Sequence, residues 1–350
     1  VGAIRWDAWQ SPGSPTNRAV ERSLAPPAYR HRLPFFARIG PDGSVTIDGS
    51  AQAVMDREIA LALRAGLGFW GFLGYPRESP MSAGLKLYLA SPERHGLRFC
   101  MLSELVQWGT ARDAAEPVVD WHLELMRHPD YQRAPDGRPL YFLGFLSDRL
   151  IAERWGDAGA LRAAVDRFRA RAVAEGAGNP YLVLMARPDP GVRIAQALGA
   201  DALSAYAIAE ADLAAPYAAL AQLAERRWDA YAASGLGVVP TVMSGWDRRP
   251  RIQSPVPWES WQRPGVGMDR YYAEAQPQEL AAHLRRALEW IALHPRVAVA
   301  RAALIYAWNE NDEGGWLVPT LPFDDRRVEA LRAVLCTRGT GPEAGGPGCG

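Results

Sequence analysis

Short apolar runs alternate with longer amphipathic segments along nearly the whole chain. Residues 2–6 read as a first strand. Residues 52–65 place Val54, Ile59, Ala62 and Leu63 at helical spacing and end at Gly66, the residue type that closes a helix in a left-handed turn. Further strand-like runs occupy 69–75, 97–102, 139–145, 180–185, 202–206, 238–243 and 302–307. Helical periodicity returns at 84–95, 117–127, 158–175, 192–198, 213–234, 278–293 and 325–335.

The strand runs are almost continuously apolar, as burial of both faces of a sheet requires. Eight strands alternating with eight helices predict an α/β protein with a parallel sheet. Right-handed crossovers close such a sheet most simply as a single (β/α)8 TIM barrel. An open, doubly wound sheet is the alternative, but no Gly-x-Gly-x-x-Gly follows the first strand. Residues 11–50 and 247–276 are long, turn-rich loops after strands 1 and 7. In a barrel both belong to the C-terminal face, where they wall a cleft. Residues 1–336 are expected to form the barrel, and 337–350 a Gly/Pro-rich tail.

A length of 350 residues suits one barrel with insertions. Lys+Arg and Asp+Glu both number 39, so net charge is zero and the electrostatic case for nucleic acid or an anionic membrane surface falls away. No apolar run approaches the roughly 20 residues that span a bilayer. Cys100 lies in an apolar run and reads as core, whereas Cys336 and Cys349 bracket the tail and are placed to close a disulfide loop. The chain begins at Val1, and a processed protein, secreted or periplasmic, is the expectation.

Thirteen tryptophans change the picture, because Trp6, Trp9, Trp108, Trp246 and Trp308 fall at strand ends, where flat apolar faces suit stacking on sugar rings. Trp308 opens Trp308-Asn309-Glu310-Asn311-Asp312-Glu313-Gly314-Gly315, directly after the last strand. Two carboxylates three residues apart supply what cleavage of a glycosidic bond needs: one group to protonate the leaving oxygen and one to activate or supply the nucleophile. The plain alternative is a pair of solvated or helix-capping acids. The other polar or aromatic strand-end candidates for substrate binding are Trp6, Asp7, Tyr75, Glu104, Tyr206, Trp246, Asp247 and Trp308.

Other chemistry finds less support. No Gly-x-Ser-x-Gly elbow is present, and the six histidines show no paired ligand spacing, so neither metal nor cofactor is called for. His122, His283 and His294 fall in or at the end of helices. The run Arg248-Arg249-Pro250-Arg251 is expected to pair with loop acids, and His31, Arg32, Pro34 and Phe35 to anchor the first insertion.

Trp308-Asn309-Glu310-x-x-Glu313-Gly314, with Leu317 and Pro319 after it, resembles the strand-8 signature of the family 99 glycoside hydrolases and the related WbsX-like proteins. Partial matches in the same order are Gly2-Ala3-Ile4-Arg5-Trp6-Asp7, Glu58-Ile59 with Gly66 and Trp70, and Asp130-Tyr131 with Gly137-Arg138-Pro139. Gly199-Ala200-Asp201-Ala202 with Tyr206, and Pro240 with Gly245-Trp246-Asp247 and Pro250-Arg251, continue the series. The resemblance implies a (β/α)8 barrel and retaining endo-cleavage of α-mannosides. It assigns Glu310 as the base that deprotonates the sugar's own 2-hydroxyl. It assigns Glu313 as the acid that protonates the departing oxygen and then as the base that activates water. A 1,2-anhydro sugar would lie between the two steps, which restricts substrates to 1,2-trans linkages. The chain departs from the family where a Trp-His-type pair usually separates the acids: here it has Asn311-Asp312, which puts another negative charge beside Glu313.

The expected partner is an oligo- or polysaccharide, and the expected activity is a retaining, endo-acting glycoside hydrolase. Two alternatives are a WbsX-like glycosyl-transfer protein of polysaccharide assembly and a non-catalytic glycan-binding barrel. No nucleotide-binding fingerprint favours the transferase.

Overall fold

A computed structural model describes residues 1–111, 116–211 and 213–336. Its barrel strands are β1 (Gly2–Arg5), β2 (Phe69–Gly74), β3 (Arg98–Glu104), β4 (Leu140–Gly144), β5 (Tyr181–Met185), β6 (Ala202–Ser204), β7 (in two pieces, Gly237–Val238 and Thr241–Met243) and β8 (Leu304–Tyr306). Each pairs in parallel with the next, and β8 also pairs with β1. The ring closes through a break in β7. Pro240 has no N–H to give the ladder, so the strand splits there. The first piece bonds to β6 and the second to β8. Across the gap, Val239 N donates to Leu203 O (2.9 Å) and Leu304 N to Pro240 O (2.9 Å), handing the strand from one neighbour to the other.

All eight expected strands are present, each end within two residues of its expected place. The helices are α1 (Pro15–Leu24), α2 (Gln52–Arg64), α3 (Ala83–Ala90), α4 (Glu116–Met126), α5 (Asp148–Trp155), α6 (Ala158–Ala174), α7 (Pro188–Leu198), α8 (Tyr217–Ala232), α9 (Arg249–Gln253), α10 (Pro277–Leu293) and α11 (Arg326–Leu335). Three of these lie outside the periodic pattern. α1 and α9 fold the two long insertions, and α5 adds a turn after β4. The start of α1 is written locally: Ser14 Oγ accepts from Asn17 N, and Pro15 takes the first helical position. α3 ends earlier than expected, because Pro92 holds Ser91 in an extended conformation. No helix among the described residues is long and apolar enough to cross a membrane. Cys100 is buried, and Cys349, the expected disulfide partner of Cys336, lies outside the described residues.

One charged cluster binds the layers below the site. The Arg5 guanidinium, fully buried at the end of β1, donates to both oxygens of Glu58 on α2 (3.1 and 2.8 Å) and to Asp7 (2.6 Å). Trp308 Nε1 donates to the same Glu58 (2.9 Å), and the guanidinium lies 4.5 Å over the Trp70 ring. Strand β1, helix α2 and the residues after β8 therefore share one ion network. Removing one partner of a buried pair leaves an uncompensated charge, so Glu58→Ala is expected to lower stability by about 3–5 kcal/mol. Urea unfolding followed by tryptophan fluorescence measures this; a loss below about 1 kcal/mol would mean that the network is not a structural clamp.

Candidate active site

After β8 the chain makes a tight hairpin. Asn309–Glu310 pairs antiparallel with Gly315–Trp316 around a short turn, Asn311–Glu313. Asn309 fastens the hairpin to the other end of the chain: its side-chain amide accepts from Trp6 N (2.9 Å) and donates to Trp6 O (2.7 Å), extending the β8–β1 ladder through a side chain. Gly314 closes the turn at φ 84°, a conformation that favours glycine, and a Cβ there would lie 2.5 Å from Asp247 N. Asp247 N in turn donates to Glu313 O (2.7 Å).

Glu310 and Glu313 project from this hairpin into a cavity of about 1290 Å³ at the C-terminal ends of the barrel strands. They are only 3% and 7% exposed, which rules out the plain reading of solvated acids. Arg251 on α9 meets both: its guanidinium donates to Glu313 (2.5 Å) and Glu310 (3.2 Å), to both oxygens of Asp312 (2.7 and 2.9 Å) and to Glu259 (3.2 Å). Glu313 also accepts from the Tyr306 hydroxyl and lies 3.3 Å from Arg248 Nε. Glu310 accepts from the Tyr206 hydroxyl at 2.5 Å. Burial pushes the Glu310 carboxyl up to about 8; the negative charges of Glu313 and Asp312 add to this and Arg251 opposes it.

Trp6, Tyr75, Glu104, Tyr206 and Trp246 join the two acids around the same cavity. Trp6 Nε1 donates to the Tyr75 hydroxyl (2.9 Å), fixing two aromatic faces together. No described residue hydrogen-bonds or ion-pairs with the Glu104 carboxyl, which burial raises above the usual range. The structure does not bring Asp7, Asp247 or Trp308 to the cavity wall. Asp7 is held by Arg5 and sits where a Cβ on Gly84 of α3 would lie 2.2 Å from its carboxyl carbon. Asp247 is paired with Arg32 and Arg249, joining the two insertions. Trp308 is fully buried on Glu58 and Trp70. Trp9 and Trp108 are core residues as well. Asn311 and Asp312 turn away from the cleft, Asn311 to Arg32 O and Asp312 to Arg251 and Ser23.

The arginine run pairs with acids as expected, and those acids include the catalytic candidates. The first insertion is anchored by Arg32 on Asp247, by Phe35 N on Pro319 O (2.8 Å) and by His31 on Glu274 (3.1 Å). His122 meets Tyr141, His283 meets Glu225, and His294 bonds Trp290 O. Among the described residues no cluster of three His, Cys, Asp or Glu stands in a metal-holding arrangement.

Four lining or supporting residues were not foreseen. Tyr306 is hidden in an apolar strand run, where only its hydroxyl betrays it. Phe145 lines the cleft at φ 58°, a left-handed conformation unusual for a bulky residue, and packs 5.1 Å from Tyr206. Trp258 and Trp261 line it from the second insertion, 41% and 65% exposed. Large aromatics in a Pro/Gly-rich loop were a legible signal for them.

No family model matches the chain, and no curated protein sequence does. Among solved structures it is similar to a GH99 endo-alpha-mannosidase from Bacteroides thetaiotaomicron, at a TM-score of 0.60 and 14% identity, covering 95% of each chain. A bis-tris-propane complex of a GH99 endo-alpha-mannosidase from that bacterium gives 0.59 and 14%, covering 95% of this chain and 94% of the other. The likeness is one of fold, and it spans the whole barrel.

Arg251→Met would leave Glu310 and Asp312 without a cation and Glu313 with Arg248 alone. The expected destabilisation is about 3–5 kcal/mol at pH 8 and smaller at pH 5, where protonation relieves the repulsion. Thermal unfolding at the two pH values measures it; an equal loss at both would assign Arg251 a packing role only.

Proposed function

We propose that this protein is a retaining, endo-acting glycoside hydrolase for 1,2-trans linkages of the α-mannoside type. One observation carries the reading: two buried carboxylates on a single hairpin open into an aromatic-walled cleft at the C-terminal face of a barrel. Catalytic groups of such barrels occupy that face. The cleft volume is at or above the upper end of ordinary small-molecule pockets and suits more than one sugar ring. The whole-chain likeness in fold to endo-alpha-mannosidase structures supports the same reading.

In the proposed cycle Glu310 takes the proton of the 2-hydroxyl while that oxygen attacks the anomeric carbon. The glycosidic bond breaks, and the leaving oxygen takes a proton from Glu313. Water, deprotonated by Glu313, then opens the 1,2-anhydro ring at the anomeric carbon, and Glu310 returns its proton to the 2-oxygen. Two inversions give net retention. A carboxylate with an elevated pKa is a stronger base than usual, which suits removal of a hydroxyl proton. The cycle needs one proton on the pair, held by Glu313. The two carboxyls share that proton, and the productive form is the singly protonated pair with the proton on Glu313.

Two outcomes follow. Because the pair loses its proton as pH rises through about 8, kcat/KM on α-mannan is expected to fall above that value. A flat profile through this range would remove the shared proton from the mechanism. On glycans, Glu310→Gln and Glu313→Gln are each expected to lose about 10²–10⁴-fold in kcat/KM. A dinitrophenyl α-mannoside needs little acid assistance, so Glu313→Gln should retain formation of the anhydro sugar from it while Glu310→Gln does not. The opposite pattern would exchange the two roles, and unchanged glycan binding with no turnover in wild type would leave a binding protein.

A further inference from the structure

Charge is distributed unevenly around the cleft. The floor holds Glu310 and Glu313, and most arginines near them are committed: Arg248 and Arg251 to Glu259 and Glu313, Arg187 and Arg227 to Glu210. The outer wall differs. Arg263 and Arg270, on the second insertion, line the cavity and are exposed, and neither makes an ion pair with a carboxylate among the described residues. Asp269 precedes Arg270 in the chain without pairing to it, and Glu259, which lines the cavity from the same segment, is already paired with Arg248 and Arg251. In a chain of zero net charge these two free guanidiniums make a local cationic wall.

The same segment offers flat apolar faces. Trp258 stands edge-on to Trp6 at 5.5 Å, and Trp261 is 65% exposed with the Arg248 guanidinium 4.8 Å above its ring. Stacking faces beside unpaired guanidiniums suit a sugar ring that carries an anionic group, since a guanidinium fork matches a carboxylate or sulfate. An anionic group cannot sit on the floor, where Glu310 and Glu313 repel it. It must lie one or more rings away from the bond that breaks.

We propose that the cleft selects an acidic glycan, with a carboxylate- or sulfate-bearing sugar on the Trp258–Arg270 wall and a neutral ring over Glu310 and Glu313. This rests on the reading that the cleft holds carbohydrate. Binding, rather than cleavage, tests it independently of the catalytic assignment. The probes are matched pairs: α-mannan before and after chemical sulfation, and a glucuronate-bearing mannan before and after carboxyl reduction. Affinities are measured by titration calorimetry in a Glu313→Gln background, with and without Arg263→Gln/Arg270→Gln.

The charged member of at least one pair is expected to bind about 10-fold tighter at low ionic strength, with the gap closing at high salt. The double arginine variant should close the same gap and leave the neutral member unchanged; both side chains are exposed, so the core is untouched. The pair that responds separates sulfate from carboxylate. Equal binding within both pairs, or a gap that survives the arginine variant, overturns this inference and leaves the hydrolase reading standing. Failure of every glycan to bind overturns both.

Discussion

The site depends on one cation. Arg251 brings a single positive charge against Glu259, Glu310, Asp312 and Glu313, all of them largely buried. Carboxylates crowded together out of water repel one another and lose their hydration; only a partner that both neutralises charge and fills hydrogen-bonding positions makes the arrangement stable. A guanidinium does so because its donors fan out in a plane, and here they reach four side chains at once. The same contact fixes where the second insertion lies, since α9 can deliver Arg251 only by packing over the turn after β8. Arg32 and Asp247 repeat the device on a smaller scale, tying the first insertion to the second.

Much of this architecture is legible in the residues because a barrel is a repeating solution. Each strand must be apolar on both faces and each helix on one, so periodicity alone locates them. The insertions are less legible, because their helices are short and are set by local caps such as Ser14-Pro15 and by long-range pairing. The site divides in the same way. Position at a strand end places Trp6, Tyr75, Glu104, Tyr206 and Glu310 on the right rim. It does not say toward which neighbour a side chain turns: Asp7 turns to Arg5 because Gly84 leaves room for it, and Trp308 turns to Glu58. Arg251 was visible as part of a basic run, yet 59 residues separate it from Glu310, and nothing local connects the two.

Similarity of fold at 14% identity has a physical basis. The barrel asks only for apolar strands of suitable volume, whereas the hairpin asks for particular residues. Asn311 and Asp312 show how the hairpin has been re-solved. Both serve its support, bonding Arg32 O and Arg251, and neither faces the cleft. Any difference in what the cleft accepts must therefore come from the walls, above all from the insertion after β7, whose tryptophans and arginines are exposed to the cleft.

The seam of the barrel carries a consequence for how the protein comes into being. The hairpin that carries both acids is fastened by Asn309 to Trp6, 303 positions earlier in the chain. During synthesis the first strand therefore waits, its outer edge without its final neighbour, until Asn309, 303 positions after Trp6, has been made. Truncated products lacking β8 lack both acids as well as the closing strand. Closure of the ring and assembly of the buried acid pair are a single late event, so a nascent or clipped chain holds no partial site.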